Sequence, residues 1–374
     1  VKVVITGGGT GGHLYPGLAI AEALKRQAPA TEILFVGGRR LEATVVPQEG
    51  WAFRAIAGQG LPRRVSLATI SALAAAAVGT TQAFQILWGH RPDAVIATGG
   101  YVSAPVGAAA ALLGIPLVLQ EQNLKAGLTN RVLARWACWI SVPHADAVAA
   151  FRSRRVEVTG VPVRGRALAG ERARGLARWG LDPGRLTLLV IGGSQGAHSL
   201  NTAVCRLGDL LMFEERLQIL HHTGAADLAW VREAIGHREH VGPPAIRQVA
   251  VPFLDPVGDA YASADMILCR AGASTLAEIT AWGLPAIVVP YPHAAMGHQE
   301  DNAAILVRAG AAIRVGDADL AGTALVDCVQ ALVADPDRRS AMAAASRALG
   351  HPNAADAVAA LVLTMSRAPE EVRA

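Results

Sequence analysis

Cysteine is scarce. The 374-residue chain has four, at Cys138, Cys205, Cys269 and Cys328, and no Cys-x-x-Cys pair. That spacing speaks against a disulfide framework or a zinc site and suits small buried hydrophobes in a reducing compartment. Charge is also thin, at 17% of residues, and aromatics make up only 5%. The basic residues are not interleaved with aromatics and no nucleic-acid motif appears, so no nucleic-acid partner is expected. The sequence does not open on a charged segment followed by an apolar stretch, so no secretory leader is expected either.

Apolar residues are plentiful, at 52%. That supports a sizeable core, and the length suggests two domains. Two stretches, 65–89 and 94–120, carry no charge and are long enough to span a bilayer. The second is broken by Gly99-Gly100, Pro105 and Pro116 and reads as strand, turn, helix and strand. The first is Ala-rich and holds Ser, Thr and Gln, so a buried or half-buried helix is the preferred reading over a spanning one. A peripheral membrane contact is the third reading. The net charge of +4 is unevenly spread: residues 1–159 hold 15 Lys/Arg against 8 Asp/Glu. A basic first half suits an anionic partner, such as a lipid surface or a pyrophosphate.

Short β-branched runs alternate with helical stretches throughout, which predicts parallel sheets covered on both faces. The opening VVITGGGTGGH is echoed by TLLVIGGSQGAH at 187–198, each an apolar strand, a glycine turn and a helix start. The expected fold is therefore α/β: two Rossmann-like domains in tandem, with ligands beyond the carboxyl ends of the strands and an active site in the interdomain cleft. The expected boundaries are 1–160 and 161–345, with a C-terminal helix over 352–368 packing back on the first domain.

Gly7, Gly9 and Gly12 fit GxGxxG, which is a weak match alone. The next strand ends in Gly37-Gly38-Arg39-Arg40 with no ribose-binding acid, which disfavours NAD and leaves NADP open. No Lys-Ser/Thr pair follows the opening glycines, so a P-loop is excluded. What remains is a loop whose amides favour an anion or a sugar hydroxyl, with His13 either a working side chain or a packing one. GGSQG at 192–196 fits the GxSxG elbow of α/β-hydrolases, with Asp255, Asp259 or Asp265 and His293 or His298 as candidate partners. No HGGG-like oxyanion stretch accompanies it. Ser194 as a phosphate ligand explains the same residues more simply.

RAGASTLAEITAWGLP, 270–285, predicts a turn and a helix N-terminus able to hold a diphosphate. Glu278, one turn in, is placed to accept ribose hydroxyls. Asp317-Ala318-Asp319 spells a metal-binding DxD, but Asp319 reads as a helix N-cap. His293 and His298 lack a third ligand, so no metal is expected.

Taken together, GGTGGH (8–13), GGYVSAP (99–105), EQNLKAGLTN (121–130), GVPVR (160–164), GGSQGAHSLN (192–201), CRAGASTLAEI (269–279), GLPAIVVPYP (283–292) and HQEDNA (298–303) resemble the MurG family of cytoplasmic peptidoglycan glycosyltransferases. The resemblance spans nearly the whole chain and implies the two-domain GT-B architecture. It also implies transfer of N-acetylglucosamine from UDP-GlcNAc to lipid I, making lipid II, with no cofactor. On the donor side it implies Arg164 and Ser194 at the diphosphate, the backbone of Phe253 and Leu254 at uracil, and Glu278 at ribose. Ala273, Ser274 and Thr275 would supply amides, while His298 and Gln299 would hold sugar hydroxyls. Asn123 would face sugar or acceptor, and Thr10, Gly11 and Gly12 would complete the donor set. Gly8, Gly9, Gly99, Gly100, Tyr101 and Asn130 fall to the acceptor. The family often has Gln at position 298 and commonly His at position 120, where this chain has His298 and Gln120. The implied chemistry is one inverting displacement, with His13 as first candidate base and Glu121 as second. The family works at the cytoplasmic face of the inner membrane as a peripheral protein, alongside other cell-wall synthesis proteins. Here Leu67, Ile70, Leu73, Phe84, Trp88 and Trp136, with Arg63, Arg64, Arg131 and Arg135, are the candidate membrane contacts.

Overall fold

The computed structural model describes residues 1–60, 67–151, 155–241 and 246–367. They divide into two compact units: Val1–Arg164 together with the chain from His351, and Gly165–Gly350.

In the first unit, seven parallel strands run in the order β3-β2-β1-β4-β5-β6-β7. They are β1 (Lys2–Thr6), β2 (Glu32–Gly37), β3 (Ala52–Ala55), β4 (Ala94–Ala97), β5 (Leu117–Gln120), β6 (Trp139–Val142) and β7 (Val156–Val158). The inner strand β1 pairs with β2 and β4, with Ile5 opposite both Phe35 and Ile96. Strand side chains alternate between faces, and both faces here are apolar. Val3 and Ile5 pack with Leu14, Leu18 and Leu24 of α1 (Gly11–Gln27) and with Val358 and Val362 of the C-terminal helix Ala354–Arg367. Val4 packs on the opposite face with Ala83, Leu87 and Val106. Burying one such side chain is worth about 1.5–3 kcal/mol. Arg26 fastens the C-terminal helix to α1 through Asp356, 2.8 Å away.

The helix α2 (Leu41–Gln48) follows β2 and α3 (Leu67–His90) follows β3; α4 (Ser103–Leu112) and α5 (Leu128–Leu133) come after β4 and β5. By length and composition α3 could cross a membrane over Thr69–His90. It lies against α4, burying Ala72, Gly79, Ala83 and Leu87 in a single stripe. The half-buried reading of this stretch describes the packing of 69–89, residues 65 and 66 lying outside the described residues. Its outer face keeps Ile70, Leu73, Val78 and Trp88 exposed.

The second unit holds six parallel strands in the order β10-β9-β8-β11-β12-β13. They are β8 (Leu186–Ile191), β9 (Leu217–His222), β10 (Arg247–Val251), β11 (Met266–Cys269), β12 (Ala286–Val288) and β13 (Ala312–Arg314). Leu188 and Val190 pack beneath the helix His198–Leu210. Leu189 and Ile191 face Tyr261, Leu276 and Ile279 on the other side. Strand β8 takes the place here that β1 takes in the first sheet, which is the structural form of the repeated glycine motif. The DxD motif differs from expectation. The short turn Ala318–Ala321 has Asp317 at its N-cap position, with no side-chain cap bond among the described residues, and Asp319 lies inside it because the turn begins two residues earlier.

Candidate active site

In the first unit, the glycine turn after β1 and the one after β4 interlock. Gly99 and Gly100 adopt φ of +98° and +84°. A Cβ on Gly100 would stand 2.3 Å from the Gly8 carbonyl, and one on Gly99 would stand 2.9 Å from His13 Nδ1. Only glycine permits that approach together with the left-handed backbone. Gly9 packs in the same way on the ring of Tyr101, and the Arg40 guanidinium lies 5.6 Å from that ring's centroid.

His13 is half-buried in the first turn of α1. Its Nδ1 lies 3.1 Å from the Thr98 carbonyl and 3.1 Å from Gln122 Oε1. Both partners are acceptors. Gln122 is oriented by its own Nε2, which donates to the Thr98 carbonyl and to Gln120 Oε1. The proton is thereby assigned to Nδ1, and Nε2 keeps its lone pair. Thr98 completes the clamp by donating its hydroxyl to the His13 carbonyl at 2.6 Å.

Glu121 has a different setting. Its Oε1 accepts the amides of Gln122 and Asn123, each at 3.0 Å, and Oε2 accepts Gly127 N at 3.0 Å and Asn130 Nδ2 at 2.9 Å. With 1% of its surface exposed, this carboxylate staples the loop Glu121–Asn130 and holds Asn123 and Asn130 in place. Its lone pairs are engaged within the loop.

Arg164 is not brought to this cluster. Its guanidinium is forked between Glu22 of α1 and Glu49 just beyond α2. Burial opposes its charge, but bonds to Glu49 and Glu22 outweigh that and raise its pKa.

Sequence reasoning missed Glu42. This side chain from α2 is 1% exposed, and its carboxylate accepts Gly9 N and Gly38 N, each at 3.0 Å. A Cβ on Gly8 would collide with it at 2.5 Å. One amide of the opening glycine loop, Gly9 N, and one of the turn after β2, Gly38 N, are thus already bonded to a carboxylate of the chain's own. The signal was present in the acid that opens α2 straight after Gly37-Gly38, but nothing local marked its target.

In the second unit, the predicted donor residues gather at the carboxyl ends of the strands. Ser194 is exposed in the β8 turn, which is closed by a 2.9 Å bond from Gly196 N to the Gly193 carbonyl. After β11 the helix Ala273–Trp282 starts at Gly272 with no side-chain cap bond and no acid in its first turn. Ser274 Oγ there is buried and has no hydrogen-bond partner among the described residues. Free amides and an unused hydroxyl at a helix N-terminus suit an anion. Phe253 is exposed and Leu254 half-buried after β10. Gln299, next to His298 at the start of the helix His298–Arg308, accepts Tyr291 N at 2.9 Å.

Arg270 at the end of β11 pairs with Asp317 at 2.6 Å and donates to Ser199 Oγ at 2.7 Å. Asp317 of the DxD motif is therefore engaged by a cation of the chain. Two of the three candidate acids for a hydrolase triad are also engaged. Arg174 holds Asp259 below the usual carboxylate range, and Asp265 accepts Thr187 N and Arg172.

The N-terminal domain model of glycosyltransferase family 28 matches residues 3–141, and the family's C-terminal domain model matches residues 187–358. The chain belongs to glycosyltransferase family 28. Two curated relatives are both named UDP-N-acetylglucosamine–N-acetylmuramyl-(pentapeptide) pyrophosphoryl-undecaprenol N-acetylglucosamine transferase. The protein from Desulforamulus reducens is 41% identical over 95% of this chain and 96% of its own length; that from Halothermothrix orenii is 42% identical over 94% and 95%. Among solved structures, Acinetobacter baumannii MurG superposes with a TM-score of 0.76 at 27% identity, covering 97% of this chain and 99% of that one.

Proposed function

We propose that this chain catalyses the reaction for which its curated relatives are named, moving N-acetylglucosamine from UDP-GlcNAc onto the MurNAc of lipid I to give lipid II. The C4 hydroxyl of MurNAc attacks the anomeric carbon as the bond to the UDP oxygen breaks, so the anomeric configuration inverts. The hydroxyl proton passes to His13 Nε2. UDP leaves with the bonding electron pair, and its diphosphate charge is met by Ser194 and the amides of Ala273 to Thr275. Glu278 takes the ribose, the backbone at Phe253 and Leu254 takes uracil, and His298 and Gln299 take sugar hydroxyls. Thr10, Gly11, Gly12 and Asn123 complete the sugar contacts. The acceptor rests on Gly8, Gly9, Gly99, Gly100, Tyr101 and the loop that holds Asn130.

One observation carries this reading. His13 is held at a strand's carboxyl end with Nδ1 committed to two acceptors, which supports Nε2 as the basic nitrogen. The test is UDP release from UDP-GlcNAc with a lipid I analogue. Release should require the analogue and persist in EDTA. His13→Asn should lower kcat by about 10²–10⁴-fold while the KM for UDP-GlcNAc stays put. Release without acceptor, or an Asn variant within a few-fold of the parent, would defeat the assignment.

The same reading places the enzyme peripherally on the cytoplasmic face of the membrane. Support comes from the exposed Ile70, Leu73 and Trp88 of α3 and from Leu128 and Val132 of α5 with Trp136 just beyond it. Arg131 and Arg135 are exposed on the same short segment as α5. Arg63 and Arg64 lie outside the described residues, as does the side chain of Leu67. Ile70→Glu with Leu73→Glu should reduce co-sedimentation with anionic vesicles; undiminished sedimentation would reject this face.

A further inference from the structure

Glu278 does not stand alone. On the helix Val257–Ser263, Tyr261 is buried to 1% exposure and its hydroxyl donates to Glu278 Oε2. The Tyr261 ring stacks near Trp282, centroids 6.5 Å apart, and Trp282 Nε1 is tied to the Ala167 carbonyl at 2.8 Å. The phenol therefore cannot swing away from the carboxylate without disturbing packed groups on two sides. A phenol has one proton to give. It goes to Oε2, and Oε1 receives no donor from the described residues. Glu278 itself keeps part of its surface open.

We infer that Tyr261 is a positioning residue for donor recognition. Its hydroxyl clamps one oxygen of Glu278, fixes the orientation of the carboxyl group, and leaves the other oxygen to take a hydroxyl of the ribose. The inference rests on the ribose role proposed for Glu278.

The need for such a clamp is electrostatic. Protein packed around Glu278 pushes its pKa up to about 7, and the bond from Tyr261 works in the opposite direction. A carboxylate in that balance is close to picking up a proton, and a neutral acid would offer a donor where the diol needs an acceptor. The other titratable group that Glu278 affects is Cys269 on β11, whose pKa burial and Glu278 push up to about 12. The pKa of Tyr261 is likewise raised, chiefly by burial. Both are neutral near pH 7, so Glu278 is the group whose charge changes there.

The experiment is steady-state kinetics of the full-length protein with Tyr261→Phe, Glu278→Gln and the double variant, from pH 5.5 to 8.5. The donors are UDP-GlcNAc and its 2′-deoxyribose analogue; their diphosphate diester does not titrate in this range. For the parent, 1/KM for UDP-GlcNAc should rise with pH through about 7. Tyr261→Phe should raise that KM about fivefold at pH 7 and about tenfold at the acid end of the range, with the acceptor KM unchanged. It should also move the midpoint up by about one unit, since a tenfold change is one pK unit. In the Glu278→Gln background Tyr261→Phe should add nothing, because the partner it positions is gone.

A Tyr261→Phe effect that persists undiminished in the double variant would mean a packing role and overturn the inference. So would a parental midpoint and KM in Tyr261→Phe alongside a raised KM in Glu278→Gln. Failure of the ribose reading looks different: Glu278→Gln would keep the parental KM and the parental preference for the ribose over the 2′-deoxyribose donor. If Tyr261→Phe does not fold, the parental pH profile decides, and a flat 1/KM across the range refutes the clamp.

Discussion

Replacing Arg164 with alanine should destabilise the first unit before it touches donor binding. The guanidinium makes a 2.8 Å bond from Nε to Glu22 and bonds of 2.7 and 2.8 Å from Nη1 and Nη2 to Glu49. Its side chain is 9% exposed, against 24% and 22% for the two glutamates. Removing one member of a buried ion cluster costs about 3–5 kcal/mol, because the partners keep their charge and lose their counter-ion. Glu22 and Glu49 can recover some hydration, and that partial solvation points to the lower end, about 3 kcal/mol. For a unit of this size, each kcal/mol moves the midpoint by about 2–4 °C, so its unfolding transition should fall by about 6–12 °C. Arg164→Lys should recover less than half of the loss, since an ammonium cannot fork across two carboxylates. Differential scanning calorimetry gives the midpoint and kinetics give the KM for UDP-GlcNAc. An unmoved transition with a KM raised tenfold would refute the anchoring argument and return Arg164 to the diphosphate.

Three other outcomes follow from the geometry. Glu121→Gln puts an NH2 group among four donors, so at least one loop amide loses its acceptor. It should cost about 2–3 kcal/mol and speed deuterium exchange at Gln122, Asn123 and Gly127; unchanged exchange would dismiss the staple. Gly100→Ala meets both a φ of +84° and the Gly8 carbonyl at 2.3 Å. It should cost about 2–3 kcal/mol and impair the acceptor KM more than the donor KM, measured by UDP release. The pKa of Glu278 is about 7 folded against 4.5 ordinarily, so the folded state retains a proton the unfolded chain has lost. Its contribution to stability should therefore decline as pH rises from about 4.5 to 7 and stay level above. Comparing urea unfolding of the parent and Glu278→Gln at pH 5 and 8 checks the sign.

The alternation of β-branched runs with helices, and glycine turns after VVIT and LLVI, made the parallel sheets legible, because strand and turn chemistry are local. The donor-side turns were legible for the same reason. What sequence could not reveal were pairings across long separations. Arg164 sits 142 residues from Glu22, and Gly9 sits 33 from Glu42. The sequence around Glu22, Glu42 and Glu49 carries no sign of these partners, and the family resemblance pointed Arg164 to the diphosphate instead. Only the sheet order brings the partners together. Glu121 was expected as a second candidate base, and its part as a staple was not legible, since three of its donors are backbone amides that carry no side-chain signature.

The carboxylate of Glu42 in the opening glycine loop also bears on selectivity. A covalently attached anion competes at a high effective concentration. Free phosphate or pyrophosphate in solution would have to evict it to reach the amides of Gly9 and Gly38. A neutral hydroxyl approaching the remaining rim faces no such rival. The loop that looks most like a phosphate cradle is thereby guarded against the commonest small anions of the cell, and its shape is set before any substrate arrives.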